Sequence, residues 1–401
     1  SSGAWAGNVF QSRCRWRLVP LRTSCKSAAG STTACSEPPE AADEGEPDNM
    51  ADGASRQYRS AAMTNRLAID SLMHSAGALV DVRSPSEFAK AHWPGAVNLP
   101  LFDDEGRAEV GTLYKQKGRQ QAIQRGLELV GPQLAAMGHK LQQIAQQGPG
   151  SLRIYCWRGG MRSGSVAWLA STLDIDVVVL EGGYKSLRRG VLDQFERPWP
   201  VQLLGGGTGS GKTDVLLALA QQGGAMVDLE GLAHHRGSSF GGLGQPEQPS
   251  TEMFENELAL ALVALEGQAP LWLEAESVQI GRCRLPNGLW QQMQQAPVVV
   301  LERPQKERID ALVALYGAEA HGGLLEATQR LQRRLGPQRT KDATDSIRSG
   351  DLSSACAVIL DYYDRCYSYE LNRRSTPITR LAVEGLSASA VAHQLLQLKS
   401  A

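Results

Sequence analysis

The chain has 401 residues and a formal net charge of −1, with 41 Lys and Arg side chains against 42 Asp and Glu. This length allows two folded domains plus tails, and the balanced charge excludes a protein that holds nucleic acid by bulk positive charge. The apolar runs are shorter than the roughly 18 to 20 residues of a membrane span, and the seven cysteines contain no CxxC pair. We therefore expect a soluble protein of a reducing, intracellular compartment.

The first 62 residues are predicted to be a disordered extension. Residues 1–36 contain Arg and Lys, many Ser and Thr and no acid, a composition typical of a transit peptide to a chloroplast or mitochondrion. A mis-assigned start or vector-derived sequence is an equal alternative, because the first residue is not Met and Met50 or Met63 could begin the folded part. Residues 37–52 are acidic and contain few apolar side chains, which predicts a disordered linker.

Strands and helices alternate over residues 63–197, which predicts a first domain with a doubly wound parallel sheet. Apolar runs predict strands at 78–82, around Val97, at 152–155 and at 177–180, and helical spacing predicts helices at 86–90, 119–147 and 163–171. The stretch 119–147 is either one long helix or two broken helices.

A second domain is predicted over residues 198–401, after Pro198 and Pro200. The run Val201 to Leu204 begins a new strand and helix, and apolar runs at 225–229, 270–273 and 297–301 predict at least three more strands. From about residue 305 the pattern is helical. The second domain is therefore predicted to be α/β with a helical C-terminus.

One cysteine, Cys156, lies between a predicted strand and a predicted helix and is followed by Gly159-Gly160. Glycines let successive N–H groups point inward and form an anion-binding nest at a helix N-terminus, which also favours a thiolate. Cys156 is therefore predicted to have a lowered pKa and to act as a nucleophile. Arg162 is expected to close this cradle by a bidentate contact. A buried structural cysteine beside an incidental glycine pair is the alternative.

A P-loop pattern, G-x-x-x-x-G-K-[ST], follows the first strand of the second domain. Its residues are Gly206, Gly207, Thr208, Gly209, Ser210, Gly211, Lys212 and Thr213. The N–H groups of such a loop cradle a diphosphate, Lys212 is expected to neutralise it, and Thr213 is expected to hold Mg²⁺. The second domain is thus predicted to be P-loop NTPase-like.

Acidic residues at the ends of two later strands extend this predicted site. The segments Asp228-Leu229-Glu230 and Glu274-Ala275-Glu276 lie where ligands of open α/β sheets bind, and either could hold metal-bound water, with Asp228 and Glu274 as the first candidates. Solvated strand termini are the alternative interpretation. The His234-His235 pair is interpreted as part of a polar loop near the phosphate rather than as a metal site.

Several stretches around the cysteine resemble the signatures of a rhodanese domain, with Cys156 at the active-site position. They are Asp81-Val82-Arg83, Glu87-Phe88, His92 to Asn98 and Leu180 to Tyr184. Rhodanese-like domains carry sulfur or selenium on their cysteine. The loop here is one residue longer than the common sulfurtransferase loop, which suits a donor that bears phosphate.

The two modules in this order, with almost no linker, resemble the tRNA 2-selenouridine synthase family over about residues 78–371. The stretches that carry this resemblance include Gly111 to Lys115, Tyr155 to Ser163, the P-loop, His235 to Ser238, Glu274 to Ser277 and Tyr362-Tyr363-Asp364. The resemblance implies a transferase that acts on tRNA with 2-thiouridine at the wobble position. It implies selenophosphate as selenium donor, geranyl diphosphate as a second cosubstrate, a selenophosphate-producing enzyme as a partner, and a cytoplasmic location in bacterial-type relatives.

By the same resemblance, Cys156 handles selenium, Arg162 and Arg158 hold the phosphate of its donor, and the P-loop holds the diphosphate. The candidates for tRNA contact are Lys115, Lys117, Arg119, Arg125 and the Arg-rich stretch 330–341, although solvated helix faces explain them equally well. The alternative functions are a sulfurtransferase or Cys-x5-Arg phosphatase coupled to a P-loop kinase or ATPase, and a non-catalytic adaptor.

Overall fold

The computed structural model describes residues 65–67, 76–148, 150–317 and 321–398, without the side chains of residues 65–67 and of His321. All of them belong to one compact unit. The extension predicted over residues 1–62, with its alternative interpretations, lies outside the described residues. Within the described residues, no helix has the length and apolar character needed to cross a bilayer.

Five short strands form the first sheet. They are β1 (Asn65–Leu67), β2 (Ala78–Asp81), β3 (Val97–Asn98), β4 (Ser151–Tyr155) and β5 (Asp176–Leu180). Their order is β1-β5-β4-β2-β3, and every neighbouring pair is parallel, with Val80 opposite Ile154 and Leu152 opposite Val177. Val80, Ile154 and Val179 of the central strands are buried, as expected for a parallel sheet that is covered on both sides. The doubly wound parallel sheet is confirmed.

Helices connect these strands. They are α1 (Pro85–Lys90), α2 (Asp104–Lys117), α3 (Arg119–Val130), a 3₁₀ turn (Gly131–Gln133), α4 (Leu134–Gln147), α5 (Met161–Thr172) and α6 (Gly183–Glu196). Residues 119–147 therefore form two helices, separated at Gly131-Pro132, where proline lacks the N–H that a continuous helix needs. The helix α5 begins five residues after Cys156, so the cysteine loop joins the end of β4 to a helix N-terminus.

The second sheet also contains five parallel strands. They are β6 (Val201–Gly206), β7 (Ala225–Val227), β8 (Leu271–Glu274), β11 (Val298–Glu302) and β12 (Ile378–Ala382), in the order β12-β11-β6-β8-β7. Two further strands, β9 (Gln279–Ile280) and β10 (Cys283–Arg284), form a separate antiparallel pair. The helical C-terminus is confirmed, but it contains one strand that the sequence did not predict, because β12 pairs with β11 and completes the sheet.

The helices of the second half surround this sheet. They are α7 (Lys212–Gln221), α8 (Leu229–Leu232), α9 (Thr251–Ala264), α10 (Asn287–Gln295), α11 (Gln305–Tyr316), α12 (His321–Arg330), α13 (Gln332–Leu335), α14 (Pro337–Ser349), α15 (Leu352–Asn372) and α16 (Ala388–Gln397). Buried side chains of α12 to α15 form a hydrophobic cluster of their own, which also includes Phe240. The helical C-terminal region is thus a separate layer beside the sheet.

The two halves share a core. One hydrophobic cluster contains Tyr184 and Leu187 of α6 together with Phe254 and Leu258 of α9. The fully buried Asn256 of α9 donates to the carbonyl oxygen of His92 at 2.8 Å and to the Tyr184 hydroxyl at 2.9 Å. A buried amide with these partners fixes the relative placement of the two sheets, since leaving it unpaired costs free energy.

Candidate active sites

The backbone of the cysteine loop is held by the N-terminus of α6. The N–H of Tyr184 donates to the carbonyl oxygen of Cys156 at 2.8 Å, and the N–H of Lys185 donates to that of Trp157 at 3.0 Å. In a trans peptide the C=O and the N–H point in opposite directions. Because the carbonyl groups of Cys156 and Trp157 point towards α6, the N–H groups of Trp157 and Arg158 point away from it. The N–H groups of the loop are therefore free to bind the thiolate or an anion beside it.

Two glycines allow this close approach. Gly159 and Gly183 have φ values of +63° and +60°, in the left-handed region that glycine adopts without strain. A Cβ atom at Gly183 would overlap the carbonyl oxygen of Cys156 and the N–H of Gly159, and a Cβ at Gly159 would lie 2.5 Å from the carbonyl oxygen of Leu180. The Gly182-Gly183 pair is thus part of the cysteine loop, although it lies 27 positions further along the sequence.

The Cys156 side chain is buried, with 3% of its surface exposed, and its Sγ lies 3.2 Å from the Oγ of Ser163. Burial raises the pKa of the thiol, but hydrogen bonds from the Ser163 hydroxyl and from the N–H groups of Ser163, Arg158 and Gly160 outweigh it, so the pKa lies below its ordinary value. The direction agrees with the predicted thiolate. The sequence analysis did not predict the contact of the Ser163 hydroxyl with Cys156. A serine in the first turn of the helix that follows the cysteine loop could have indicated it.

The two arginines of the predicted cradle differ in their surroundings. Arg162 donates from Nη1 to Oε2 of Glu87 at 2.8 Å, and its side chain is 17% exposed. Burial raises the pKa of Glu87, but the hydrogen bond and charge of Arg162 outweigh it and hold that pKa below its ordinary value. Arg158 is exposed at the tip of the loop. Glu87 therefore positions Arg162 at the loop, while Arg158 faces solvent.

The P-loop connects β6 to α7, as its sequence predicts. Gly209 and Gly211 have φ values of +80° and +82°, and the Nζ of Lys212 lies 3.3 Å from the carbonyl oxygen of Gly206. Burial lowers the pKa of Lys212, but the charges of Glu276, Glu230 and Glu274 outweigh it and raise the pKa. The ammonium group is therefore charged at neutral pH and faces a group of carboxylates.

A carboxylate pair lies beside the first turn of α7. The Oγ1 of Thr213 lies 3.1 Å from Oε2 of Glu230 and 3.1 Å from Oε1 of Glu274, and the N–H of Glu230 donates to Oε2 of Glu274 at 3.2 Å. Burial and the charge of Glu276 raise the pKa of Glu230 to about 7. Burial and the charge of Glu230 raise the pKa of Glu274 well above its ordinary value. Both carboxyl groups therefore bind a proton more readily than an ordinary glutamate does, and the nearby charge of Lys212 opposes this for Glu230.

The predicted Asp228 has a different local role. The strand β7 ends at Val227, and Asp228 is the N-cap of α8, with its Oδ1 accepting from the N–H of Gly231 at 2.7 Å. Glu230, two residues later, is the side chain that reaches Thr213. The expected strand end at residue 229 is thus two residues too long, and the carboxylate nearest the P-loop threonine on this side is Glu230.

Two arginines contact the P-loop: Arg308 lies on α11, and Arg303 lies just before this helix. The Nε of Arg303 donates to the carbonyl oxygen of Ser210 at 3.1 Å. The buried Arg308 binds both carboxylate oxygens of Asp364, at 2.8 and 2.5 Å, and a Cβ atom at Gly207 would overlap its Nη1. Sequence analysis did not predict either arginine at this site.

An apolar cavity adjoins the P-loop. It encloses about 60 Å³, or about 560 Å³ with the space open at its mouth. Thr208 of the P-loop is among its lining residues, and the others are Ser238, Phe240, Leu312, Val313, Tyr316, Leu324, Ile347, Leu352, Ala355, Cys356, Ile359, Leu360 and Tyr363. A ligand with a diphosphate in the P-loop can thus place an apolar group between the helices.

Comparison with known proteins gives two family matches and many relatives. The model of the tRNA 2-selenouridine synthase AAA domain matches residues 199–397, and the rhodanese-like domain matches residues 66–189. The tRNA 2-selenouridine synthase of Marinobacter nauticus is 38% identical over 75% of this chain and 90% of its own length, and that of Aeromonas salmonicida is 37% identical with the same coverages. The chain belongs to the tRNA 2-selenouridine synthase family.

Within this family member, the predicted site residues fall into two groups. Cys156 and Arg158 lie on the loop after β4, with Arg162 in the first turn of α5, and the P-loop, Asp228 and Glu274 lie at the C-terminal ends of strands of the second sheet. Of the cations considered for tRNA contact, Arg125 pairs with Glu109 and Glu128 at 2.8 and 3.0 Å, whereas Lys115, Lys117 and Arg119 are exposed. The assignment of these residues to two functional sites stays a prediction, and the sequence did not reveal their long-range partners.

Proposed function

We propose that this protein is a tRNA 2-selenouridine synthase that works through a geranylated intermediate. It replaces the sulfur of wobble 2-thiouridine with selenium from selenophosphate. The supporting observation is the presence, in one compact unit, of a low-pKa thiol in an amide-lined loop and of a P-loop beside an apolar cavity. Family membership favours this activity over the sulfurtransferase, phosphatase and adaptor alternatives.

Geranyl transfer is assigned to the P-loop site. The N–H groups of residues 206–213 and the ammonium of Lys212 hold the diphosphate, and the apolar cavity beyond Thr208 takes the hydrocarbon chain. The thiouridine sulfur forms a bond to C1 of the geranyl group as the C–O bond to diphosphate breaks, and the N3 proton of the base is lost. Lys212 stabilises the charge that develops on the departing diphosphate.

The residues around Thr213 fit a magnesium ion. Three oxygen-bearing side chains meet there, with Glu230 and Glu274 each 3.1 Å from the Thr213 hydroxyl, and oxygen ligands suit Mg²⁺. Within the described ranges, no group of three His, Cys, Asp or Glu side chains is arranged to hold a metal, so Thr213 and the diphosphate would contribute oxygens as well. Bound there, Mg²⁺ would offset the charge of the diphosphate, while Glu274 and Glu230 position the threonine.

Selenium insertion is assigned to the cysteine loop. The amides that surround Cys156, with Arg158 and Arg162, hold the phosphoryl group of selenophosphate. The Cys156 thiolate attacks the phosphorus of selenophosphate as the P–Se bond breaks, and water later hydrolyses the S-phosphocysteine to phosphate and free thiol. The released selenide adds at C2 of the base and geranyl thiolate leaves. This is easier than expulsion of unalkylated sulfur, because the alkylated sulfur departs as a thiolate. In this scheme a selenophosphate-producing enzyme supplies the donor.

The full reaction gives a direct test. The protein, incubated with thiolated tRNA, geranyl diphosphate and selenophosphate, is expected to convert 2-thiouridine to 2-selenouridine, with S-geranyl-2-thiouridine as the intermediate. Nucleoside mass spectrometry after digestion measures each species. Omission of selenophosphate should stop the reaction at the geranylated nucleoside, and release of phosphate without any new nucleoside would support a phosphatase instead.

Filling the apolar cavity should separate recognition of the chain from recognition of the diphosphate. Ala355 is buried and lines the cavity, so Ala355→Leu is expected to raise the KM for geranyl diphosphate about tenfold, because each displaced CH₂ contact is worth about 0.8 kcal/mol. Inhibition by inorganic pyrophosphate should stay unchanged, which also controls for folding. An unchanged KM for geranyl diphosphate in Ala355→Leu would place the hydrocarbon chain elsewhere.

A further inference from the structure

Trp157, next to Cys156, is a large aromatic side chain that remains 38% exposed. Its ring lies against the ring of Tyr184, with 5.8 Å between centroids and an angle of 38° between planes. Its carbonyl oxygen accepts from the N–H of Lys185 at 3.0 Å. The Tyr184 ring therefore supports the indole, and the hydrogen bond from Lys185 holds the backbone of Trp157. Another part of the indole surface is open to solvent.

The support beneath Trp157 is itself rigid. The guanidinium of Arg83 lies 3.8 Å from the centroid of the Tyr184 ring, and this arginine is buried and paired with Asp81. The Tyr184 hydroxyl donates to Oε1 of Glu252 at 3.0 Å and accepts from the buried Asn256. An aromatic group that is pre-positioned in this way loses little conformational entropy when a ligand packs on it.

The charges around Trp157 suit a polyanion. Arg158 and Lys185 are exposed directly beside it, and Arg189 is exposed one turn further along α6. Glu181 is the exposed acid on the neighbouring turn. The cations exceed the acid, and the thiol of Cys156 lies buried behind the same loop. These cations therefore lie on the same loop as the thiol and on the helix that holds this loop, where they can contact a polyanion.

We propose that Trp157 is a stacking platform that holds the wobble base of the tRNA at the mouth of the cysteine loop, with Arg158 and Lys185 on the adjoining phosphates. Single-stranded anticodon bases can be splayed out and stacked on aromatic side chains, and the backbone is held by cations. The inference rests on the proposed function, because it takes the thiolated anticodon as the substrate. It assigns Trp157 to positioning of the base, not to the chemistry at C2.

The test compares Trp157→Ala, Trp157→Phe and Trp168→Ala. Trp168 is also exposed, at 59%, but lies on α5 away from the loop tip, which makes it a matched control. Binding of a thiolated anticodon stem-loop RNA is expected to weaken roughly 5- to 150-fold in Trp157→Ala, to be largely restored in Trp157→Phe, and to be unchanged in Trp168→Ala. The rate of Cys156 alkylation by iodoacetamide should stay at the wild-type value in all three.

Three results would overturn the proposal: unchanged RNA affinity in Trp157→Ala, an equal loss in Trp168→Ala, or a parallel loss of Cys156 alkylation, which would indicate a structural role. A protein partner is the competing occupant of this surface. In that case Trp157→Ala would bind RNA normally and would lose selenium insertion only when a selenium-carrying protein replaces free selenophosphate. That result would also contradict the proposal. Because RNA binding is measured without turnover, absence of selenium insertion in the wild type would reject the proposed function and not the platform.

Discussion

Cys156→Ser is expected to reduce selenium insertion at least about a thousandfold, as loss of an enzyme nucleophile commonly does. The loop lowers the pKa of the Cys156 thiol, whereas a serine hydroxyl at the same position stays protonated near neutral pH and is a weak nucleophile. Geranyl transfer should continue, because its residues lie on the second sheet. The variant is therefore expected to accumulate S-geranyl-2-thiouridine in tRNA, measured by nucleoside mass spectrometry.

Ser163→Ala provides a graded control for the same site. Its hydroxyl is among the groups that lower the pKa of Cys156, so its removal raises that pKa, and one unit corresponds to a tenfold lower thiolate fraction at pH values below it. The pH profile of Cys156 alkylation should shift to higher pH and meet the wild-type rate at alkaline pH. Full selenium insertion by Cys156→Ser, or an unshifted profile in Ser163→Ala, would contradict the assigned role of the thiolate.

The fold was largely predictable because its signals are local. Runs dominated by apolar residues marked the strands β4, β6, β8 and β11, although Arg153 interrupts β4 and Gln202 interrupts β6. The edge strand β12 was missed because its residues, ITRLA, are half-buried or exposed and resemble the surrounding helical segments. The short β9 and β10 have two residues each and carry no periodicity.

The residues of the two candidate sites also differ in whether their signal is local in the sequence. The cysteine loop and the P-loop are contiguous in sequence, so glycine positions and flanking elements reveal them. Glu230 and Arg308 could not be assigned from the sequence, since they reach the P-loop through the packing of α8 and α11 around the sheet. The Glu87 contact to Arg162 likewise joins residues 75 positions apart. Side chains of this kind resemble ordinary surface charges until tertiary structure places them.

Lys212→Ala is expected to weaken binding of geranyl diphosphate and to abolish S-geranyl transfer. Removing a buried charge that pairs with a ligand costs about 2–5 kcal/mol, or roughly 30- to several-thousandfold in affinity. The loss also removes the cation that lowers the pKa of Glu230, so that pKa rises above about 7 and the remaining carboxylates repel the diphosphate as they ionise. The residual affinity should therefore fall further as pH increases. Isothermal titration calorimetry with geranyl diphosphate at several pH values measures both effects.

Lys140→Ala is the matched control. Lys140 is exposed on α4, a helix that connects strands of the first sheet, and it belongs to neither group of site residues. It should bind geranyl diphosphate as the wild type does. In Lys212→Ala the alkylation rate of Cys156 should also remain at the wild-type value, since the thiolate is stabilised by Ser163 and by loop amides that do not involve the P-loop. Wild-type affinity for geranyl diphosphate in Lys212→Ala would mean that the diphosphate lies outside the P-loop. A diphosphate bound in the P-loop lies beside the buried ammonium, so that loss of this charge must weaken its binding.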